Sequence, residues 1–557
     1  MKIEEVMLEM RDGIHLQTFV YFPNGDGKFP SLLARCTYGH EMVDEVARYW
    51  GKNGYVVVLQ NVRGRNKSEG GPVTRQNHPE DGYDTMDWII DQSWSNKIVG
   101  TFGRSALARV QTETAFLAHP AHRAMSPEVL PYGFMSHLGG AFMFSQIPQW
   151  MFMAQSSNEF RPVDTVEWMP HLYKLPITTV LDELHGPIER YHHILKNYQL
   201  FSLKEDMSPE KIHKLNTPNL MVTGWYDHCG TGPIDFFMQT MKYGSDYQKR
   251  NTHLIIGPWD HSVAGDAANE YNFGPNSKLD LRSIERDFFE KHLKGNDLVN
   301  TLSPVRIFVM GRNKWRDEQE WPLSRAKDTK FYLHSNGDVS GSWVKGILSV
   351  EKPNEELPDK FIYDPADPVL TWGGANSSPA ISLPMKRGPR DQQITMFRKD
   401  VLTYYSEPLT EPLEITGMIK LVLYASSSAK DTDFTAKFMD IGLDGNARIL
   451  TDGVIRARFR NGIENPELLT PGEVYCYEID LWSTSNEFLI GHRIGLAISS
   501  SNFPRISRNL NTGGHNELNS DFVKANQTIL HDSEYPSHLI LPIIENSKIN
   551  QYEKNPR

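Results

Sequence analysis

Ile98-Val-Gly-Thr-Phe102, then Gly103-Arg-Ser105, then the alanine-rich run from Ala106 to Ala118 that Pro120 ends, is the stretch from which the rest of the chain can be read. A short apolar strand runs into a helical pattern with almost no loop between them. A chain can make that reversal only through a strained turn. The residue two before the turn serine must then be small, and the serine hydroxyl projects above the sheet edge. Gly103 and Ser105 meet both demands. Taken alone, Gly-x-Ser is a short pattern, and a serine capping a helix N-terminus explains it equally well.

Working outward, the preceding segment alternates strands and helices, as βαβ units do. Ser31–Cys36 and Tyr55–Leu59 read as buried strands, and Met86, Trp88, Ile89 and Ile90 have helical spacing between Asp84 and Trp94. From about 133 to 214 the pattern changes to Met, Trp, Phe, His and Leu punctuated by Pro148, Pro162, Pro170, Pro176 and Pro187. That segment reads as short irregular helices, an inserted cap. Strands resume at Asn219–Thr223 and His253–Ile256. Leu281, Ile284, Phe288, Phe289 and Leu293 then form one face of a helix that Gly295 stops. After about Leu302 strands alternate instead: Ile419, Leu421, Leu423 and Ala425; Tyr475, Tyr477, Ile479 and Leu481; Ile494, Leu496 and Ile498. Asp444-Gly445 and Pro471-Gly472 mark turns. This spacing predicts an antiparallel sandwich of jelly-roll type.

Two further loops bear on Ser105. Gly224-Trp-Tyr-Asp227 follows the strand ending at Thr223, and Gly257-Pro-Trp-Asp-His261 follows the strand ending at Ile256. Each alone reads as an ordinary turn. Together, Ser105, Asp227 and His261 stand in the order Ser…acid…His, each just past a strand's C-terminal end, as in an α/β-hydrolase. The chemistry calls for these types, because an alcohol attacks only after a base takes its proton. His261 is placed to take it, and Asp227 to hold the imidazole and stabilise its cation.

Composition excludes several classes. The chain has 557 residues, 39% hydrophobic and 23% charged, so disorder is not its dominant state. A net charge of −11 argues against nucleic acid or an anionic membrane as partner. Cys36, Cys229 and Cys476 are far apart, with no CxxC pair, so neither a zinc module nor a disulfide framework is indicated. No run of apolar residues is long enough for a membrane span, and Glu4, Glu5, Glu9, Arg11 and Asp12 interrupt any leader-like stretch. A cytoplasmic location is expected. His119, His122, His192, His193 and His213 show no metal-ligand spacing, and Gly139-Gly140 is a loop signal with no phosphate-binding Lys-Ser/Thr after it.

The chain also resembles a family. Met10-Arg-Asp-Gly-Ile14, Gly54-Tyr-Val-Val-Val58, Val62-Arg-Gly-Arg65, Ser68-Glu-Gly70, Asp81-Gly-Tyr-Asp84 and Trp88 carry the likeness early on. The two loops of Asp227 and His261 carry it next. Val309-Met-Gly311, Trp315-Arg316, Trp321-Pro322, Tyr363-Asp-Pro365, Asp431-Thr-Asp-Phe434, Pro471-Gly-Glu473, Gly491-His-Arg493, Ser500–Pro504, Arg508-Asn509 and Asn511-Thr-Gly513 continue it. The sequence is similar to the cocaine-esterase / X-prolyl dipeptidyl-peptidase (CocE/NonD-type) α/β-hydrolases, which include α-amino-acid ester hydrolases and glutaryl acylases. The resemblance implies an α/β-hydrolase domain (1–132 and 215–301), a helical cap inserted into it (133–214) and an all-β jelly-roll sandwich (302–557). It also implies that Ser105, Asp227 and His261 are nucleophile, acid and base, and that the Tyr38 hydroxyl and the Ala106 backbone N–H form the oxyanion hole. Trp150, Trp168, Trp225 and Cys229 are the expected substrate-contacting residues.

The departures concern specificity. The family usually follows its nucleophile with Tyr-x-Gly, whereas this chain has Ala106-Leu-Ala108, and Thr37 and Asn61 stand where Pro and Asp are common. Cys229 takes a place where the cocaine-esterase branch has a pocket aromatic. The main expectation is a serine hydrolase that cleaves a small-molecule ester or amide through an acyl-enzyme, without metal or organic cofactor. Acyl transfer, X-prolyl or aminoacyl peptidase activity, and an inactive ligand-binding protein are the alternatives. A peptidase needs carboxylates for a free amino group, and Glu159, Asp164, Glu167, Asp182 and Glu183 lie in the right region. A homodimer is left open.

Overall fold

The computed structural model describes residues 1–545 apart from 72–78, 132–135, 155–160, 198–206, 264–270, 300–301, 340, 342–343, 377–382 and 384. Its first sheet has ten strands in the spatial order Ile3–Glu9, His15–Tyr21, Val56–Asn61, Phe29–Cys36, Ser95–Arg104, His122–Glu128, Asn219–Gly224, Thr252–Gly257, Val305–Val309, Lys314–Glu318. From Val56–Asn61 to Val305–Val309 neighbouring strands run parallel. The strands at the two edges pair antiparallel.

Parallel strands are covered on both faces, so they read as continuous apolar runs. Val56–Asn61 is buried at every position. Its Val56 and Val58 face Met86 and Ile89 of the helix Pro79–Asp91, while Val57 and Leu59 face Trp50 of Asp44–Lys52 and Phe288, Phe289 and Leu293 of Leu281–Lys294. Burying each large apolar side chain contributes roughly 1.5–3 kcal/mol, which explains why the strand core was visible in the pattern. The helix Leu281–Lys294 ends at Gly295 in the left-handed conformation, as expected of a helix-stopping glycine.

The segment after the sixth strand in chain order forms short helices, Gln146–Ala154, Trp168–Leu172, Thr179–Leu184 and Glu189–Lys196, around an apolar cluster that also takes in Leu383, Met385 and Phe503. A small hairpin, His137–Leu138 with Ala141–Phe142, seats this cap on the second sheet. Its turn needs Gly139: a Cβ there would lie 1.8 Å from the Val454 carbonyl oxygen. Cap residue Gly133 and the expected amino-binding Glu159 lie outside the described residues.

Eleven strands between Ala326 and Ile544 build the jelly-roll sandwich. The longest, Leu413–Ser427, alternates buried and more exposed positions from Met418 onward, and pairs with Tyr475–Phe488, Ala525–Leu530 and His538–Ile544. Two strands that follow the expected division at 302 belong to the first sheet. Val305–Val309 pairs in parallel with Thr252–Gly257, and Lys314–Glu318 pairs with it in turn, so both extend the first sheet. The reason is that Val305, Ile307, Phe308 and Val309 are buried where that sheet still has an open edge. The two sheets are bonded at this point: the Met310 N–H donates to the Ser485 carbonyl (3.0 Å), and the Met310 carbonyl accepts from the Glu487 N–H (2.8 Å). Arg316 reaches across, donating to both carboxylate oxygens of buried Glu414 at 2.7 Å each. Among the described residues, no helix is long and apolar enough to cross a membrane.

Candidate active site

Ser105 follows the strand Ser95–Arg104 directly and has φ 56°, ψ −123°. A non-glycine residue in that region is strained, and such strain persists only where the surroundings impose it. Gly103 (φ +144°) is required, since a Cβ there would come within 2.6 Å of the Leu107 Cβ. Ser105 makes no side-chain capping bond to the helix it precedes, which removes the capping explanation for its position. The helix Ala106–Ala115 begins with Ala106, and Ala108 is fully buried in the core, so the Cβ that replaces the family's usual glycine is accommodated.

The two loops that carry Asp227 and His261 are locked together by backbone bonds. Trp225 N–H donates to the Gly257 carbonyl (2.9 Å) and Tyr226 N–H to the Trp259 carbonyl (3.0 Å). Gly224 allows this approach, because a Cβ there would lie 2.1 Å from the Trp259 carbonyl oxygen. Asp227 is fully buried. Its Oδ2 accepts from the Thr223 hydroxyl (3.0 Å), and its Oδ1 accepts from the Cys229 N–H (3.0 Å) and from His261 Nδ1 (2.7 Å). With Nδ1 engaged by the carboxylate, His261 has Nε2 left for another partner. Arg104, next to the serine, holds the base loop by donating to the Ser262 carbonyl (3.0 Å). Asp260 is bonded by Ser262 and by Arg387 (3.2 Å), which hold its carboxyl below the usual range against the opposing effect of burial.

Ser105, Ala106, Tyr38, Trp150, Cys229 and His261 line one pocket of about 590 Å³, within the usual size for a small-molecule site. Asp227 stands behind His261. Tyr38 hydrogen-bonds Ser105, and its oxygen accepts the Trp150 indole N–H at 3.1 Å. Burial raises the Tyr38 phenol above its ordinary range, so the hydroxyl stays protonated and able to donate.

Two expected contact residues lie elsewhere. Trp168 is buried in the cap, edge-on to Phe152, with its N–H donated to the Val163 carbonyl (2.9 Å). Trp225 packs on Trp321 and donates to the Phe308 carbonyl (2.8 Å). Both are core tryptophans, whose size favours burial and whose N–H finds a backbone acceptor. Asp182 pairs with His192 and Glu183 with Lys174, and neither these nor Asp164 or Glu167 lines the pocket.

Other pocket residues escaped the sequence reading. Arg104 pairs with Glu128, and Arg282 pairs with Glu285 at 2.5 Å. Burial, together with the nearby Glu128 charge, raises Glu285 to about 7 against the pull of Arg282. Glu128 ends its strand beside the nucleophile strand, a position that could have drawn notice. Arg282, Glu285 and Arg387 carried no such signal. His228 is buried at 4% exposure, its ring 4.2 Å from that of His261, and burial holds it well below the ordinary histidine range.

Residues 12–263 match the family described as X-Pro dipeptidyl-peptidase (S15 family), and residues 296–540 match the X-Pro dipeptidyl-peptidase C-terminal non-catalytic domain. Over 590 aligned residues the chain is 34% identical to cocaine esterase of Rhodococcus sp. (strain MB1 Bresler), covering 97% of this chain and 98% of that enzyme. The chain belongs to the cocaine-esterase / X-prolyl dipeptidyl-peptidase family. Family membership makes it a serine hydrolase of ester or amide bonds. Two solved structures share the family fold at TM-score 0.83 and 24% identity: an aminopeptidase from a marine sediment Thaumarchaeota archaeon, covering 98% of this chain and 96% of that one, and an α-amino acid ester hydrolase, covering 97% and 96%.

Proposed function

We propose that this hydrolase uses Ser105, His261 and Asp227 as its triad and cleaves a small-molecule ester or amide with an apolar acyl part. One observation carries the reading: the 2.7 Å Asp227–His261 bond and the strained Ser105 elbow belong to the same pocket. Ser105 Oγ attacks the carbonyl while His261 Nε2 takes its proton, and Asp227 stabilises the imidazolium at Nδ1. The Tyr38 hydroxyl and the Ala106 N–H receive the oxyanion. His261 then returns the proton to the leaving group, and water attacks the acyl-enzyme by the reverse path.

Phe102, Leu107, Ile147, Trp150 and Met153 give the pocket an apolar wall, which suits an aryl or alkyl acyl group. Recognition of a free amino group is the second reading, favoured by Glu128 and Glu285 at the pocket. Their pairing with Arg104 and Arg282 leaves little carboxylate charge to spare, so the esterase reading stands first. As part of the same proposal, residues up to about Glu318 outside 133–214 form the catalytic unit, 133–214 the cap, and the remainder the sandwich.

The test is fluorophosphonate labelling followed by a panel of aryl, alkyl and aminoacyl esters. Ser105 is the expected labelled residue, and Ser105→Ala should lose roughly a million-fold in kcat, as triad serines do. Undiminished turnover by Ser105→Ala would refute the mechanism. A clear preference for esters with a free α-amino group would move the assignment to the second reading.

A further inference from the structure

Two further side chains, His228 and Cys229, crowd around Asp227 and His261. Asp227, His228, Cys229 and His261 each direct one metal-ligating atom into a common space, and these atoms all lie within 4.8 Å of one another. The Asp227 Oδ1 is 2.7 Å from His261 Nδ1 and 3.6 Å from His228 Nδ1, so both imidazoles turn the same nitrogen to one carboxylate oxygen. His261 uses that nitrogen in a hydrogen bond. His228 does not: its Nδ1 is buried without a hydrogen-bond partner, in a side chain 4% exposed. A buried polar atom normally has a partner, and an unsatisfied one that faces a cluster of metal-ligating atoms is open to a ligand. Cys229 is a free thiol on the same loop and lines the pocket with His228 and His261, so solvent ions have a route to it.

We infer that these four side chains form a soft-metal site, and that Zn²⁺ bound there switches the enzyme off. The inhibitory half of the inference rests on the triad proposed above; the binding half does not. The donor set, two imidazoles, one thiolate and one carboxylate, is what four-coordinate zinc takes, and it is a poor set for Mg²⁺ or Ca²⁺, which want oxygen. Tetrahedral zinc with bonds of about 2.0–2.3 Å puts its donors about 3.3–3.6 Å apart, so the widest separations must close by about 1 Å while the 2.7 Å Asp227–His261 pair opens by about 0.6 Å. Three of the donors are consecutive residues of one loop, which leaves the His261 ring as the main moving part.

Binding breaks the Asp227–His261 hydrogen bond and replaces it with metal–ligand bonds to both groups. The Cys229 thiol proton leaves to solvent, His261 exchanges its Nδ1 proton for one on Nε2 and so stays a neutral imidazole, and nothing is oxidised or reduced. One Zn²⁺ with a carboxylate and a thiolate is neutral overall, as a buried site requires. With acid and base both coordinated, Ser105 has no proton acceptor.

The experiment uses the full chain and free metal ions as probes. Cd²⁺ titrated into the wild type and into Ser105→Ala should give one equivalent of a thiolate-to-metal charge-transfer band, which Cys229→Ser abolishes. Because Ser105→Ala need not turn over, this readout survives even if the triad proposal fails. Buffered Zn²⁺ should inhibit ester hydrolysis with a single-site midpoint that chelator reverses, while Mg²⁺ and Ca²⁺ have no effect. Each measured against its own metal-free rate, Cys229→Ser and His228→Asn should raise that midpoint by about 10–100-fold. Absence of the Cd²⁺ band in the wild type would overturn the site. An unchanged Zn²⁺ midpoint in Cys229→Ser, or equal inhibition by Ca²⁺, would overturn the switch.

Discussion

The Tyr38 hydroxyl sits between two partners, and its removal gives the sharpest test of how this pocket works. It hydrogen-bonds Ser105 and accepts the Trp150 indole N–H at 3.1 Å. Because one lone pair is occupied by that N–H, the phenol proton is turned away from Trp150 and toward the nucleophile, where the oxyanion would form. Tyr38→Phe removes a donor that acts mainly in the transition state. The expected loss is about 2.7–4 kcal/mol, or about 10²–10³ in kcat with KM little changed. Trp150→Phe leaves the donor in place and removes its orienting bond; it also trims the pocket wall, a loss read in KM. A neutral hydrogen bond is worth about 0.5–1.5 kcal/mol net, so kcat should fall about 2- to 12-fold. The two losses should not add, because without the hydroxyl there is nothing left for Trp150 to orient. The assay is steady-state hydrolysis of one aryl ester by wild type, both single variants and the double variant, with fluorophosphonate labelling as a check that Ser105 remains reactive. Full additivity in the double variant would refute the orienting role. Tyr38→Phe within threefold of wild type would refute the oxyanion role itself.

Other substitutions probe the frame around this centre. Gly103→Ala places a Cβ 2.6 Å from the Leu107 Cβ at φ +144°; it should cost about 1–3 kcal/mol of stability by denaturant titration and most of the activity as the elbow shifts. Arg316→Met removes the cation that holds buried Glu414, while Glu318 keeps Arg325; the one carboxylate left without its cation should lower stability by about 3–5 kcal/mol, seen as a drop in thermal midpoint. Glu285 has its folded-state value raised from an ordinary 4.5 to about 7 by burial. The folded state therefore holds a proton that the unfolded chain releases, and stability is lost as pH rises from about 4.5 to 7. Glu285→Gln should flatten that decline in thermal midpoint, and an unchanged slope would count against the raised value.

The sequence was sufficient for the βαβ alternation, the strained elbow at Ser105, the Ser…Asp…His order and the change to antiparallel strands, because each is written in residues close together in the chain. Local spacing decides which face of a strand or helix is apolar, and strand ends decide where loops place their side chains. The motif-rich loops of Asp227 and His261 were legible for that reason, and their bond at 2.7 Å joins two residues that both follow buried parallel strands. What a side chain meets across the molecule is a different matter. Trp150, Trp168 and Trp225 are alike as letters, yet one donates to Tyr38 in the pocket and two fill cores. The packing of cap, sheet and sandwich decided that, together with where each indole N–H found an acceptor. The same packing carried the first sheet on to Glu318 and brought Arg282, Glu285 and Arg387 to the pocket from distant segments. It also left His228 Nδ1 without a hydrogen bond beside the His261 ring. Sequence alone determined the class of chemistry through local order; only the tertiary structure, by closing long-range contacts that no spacing encodes, decided what surrounds it.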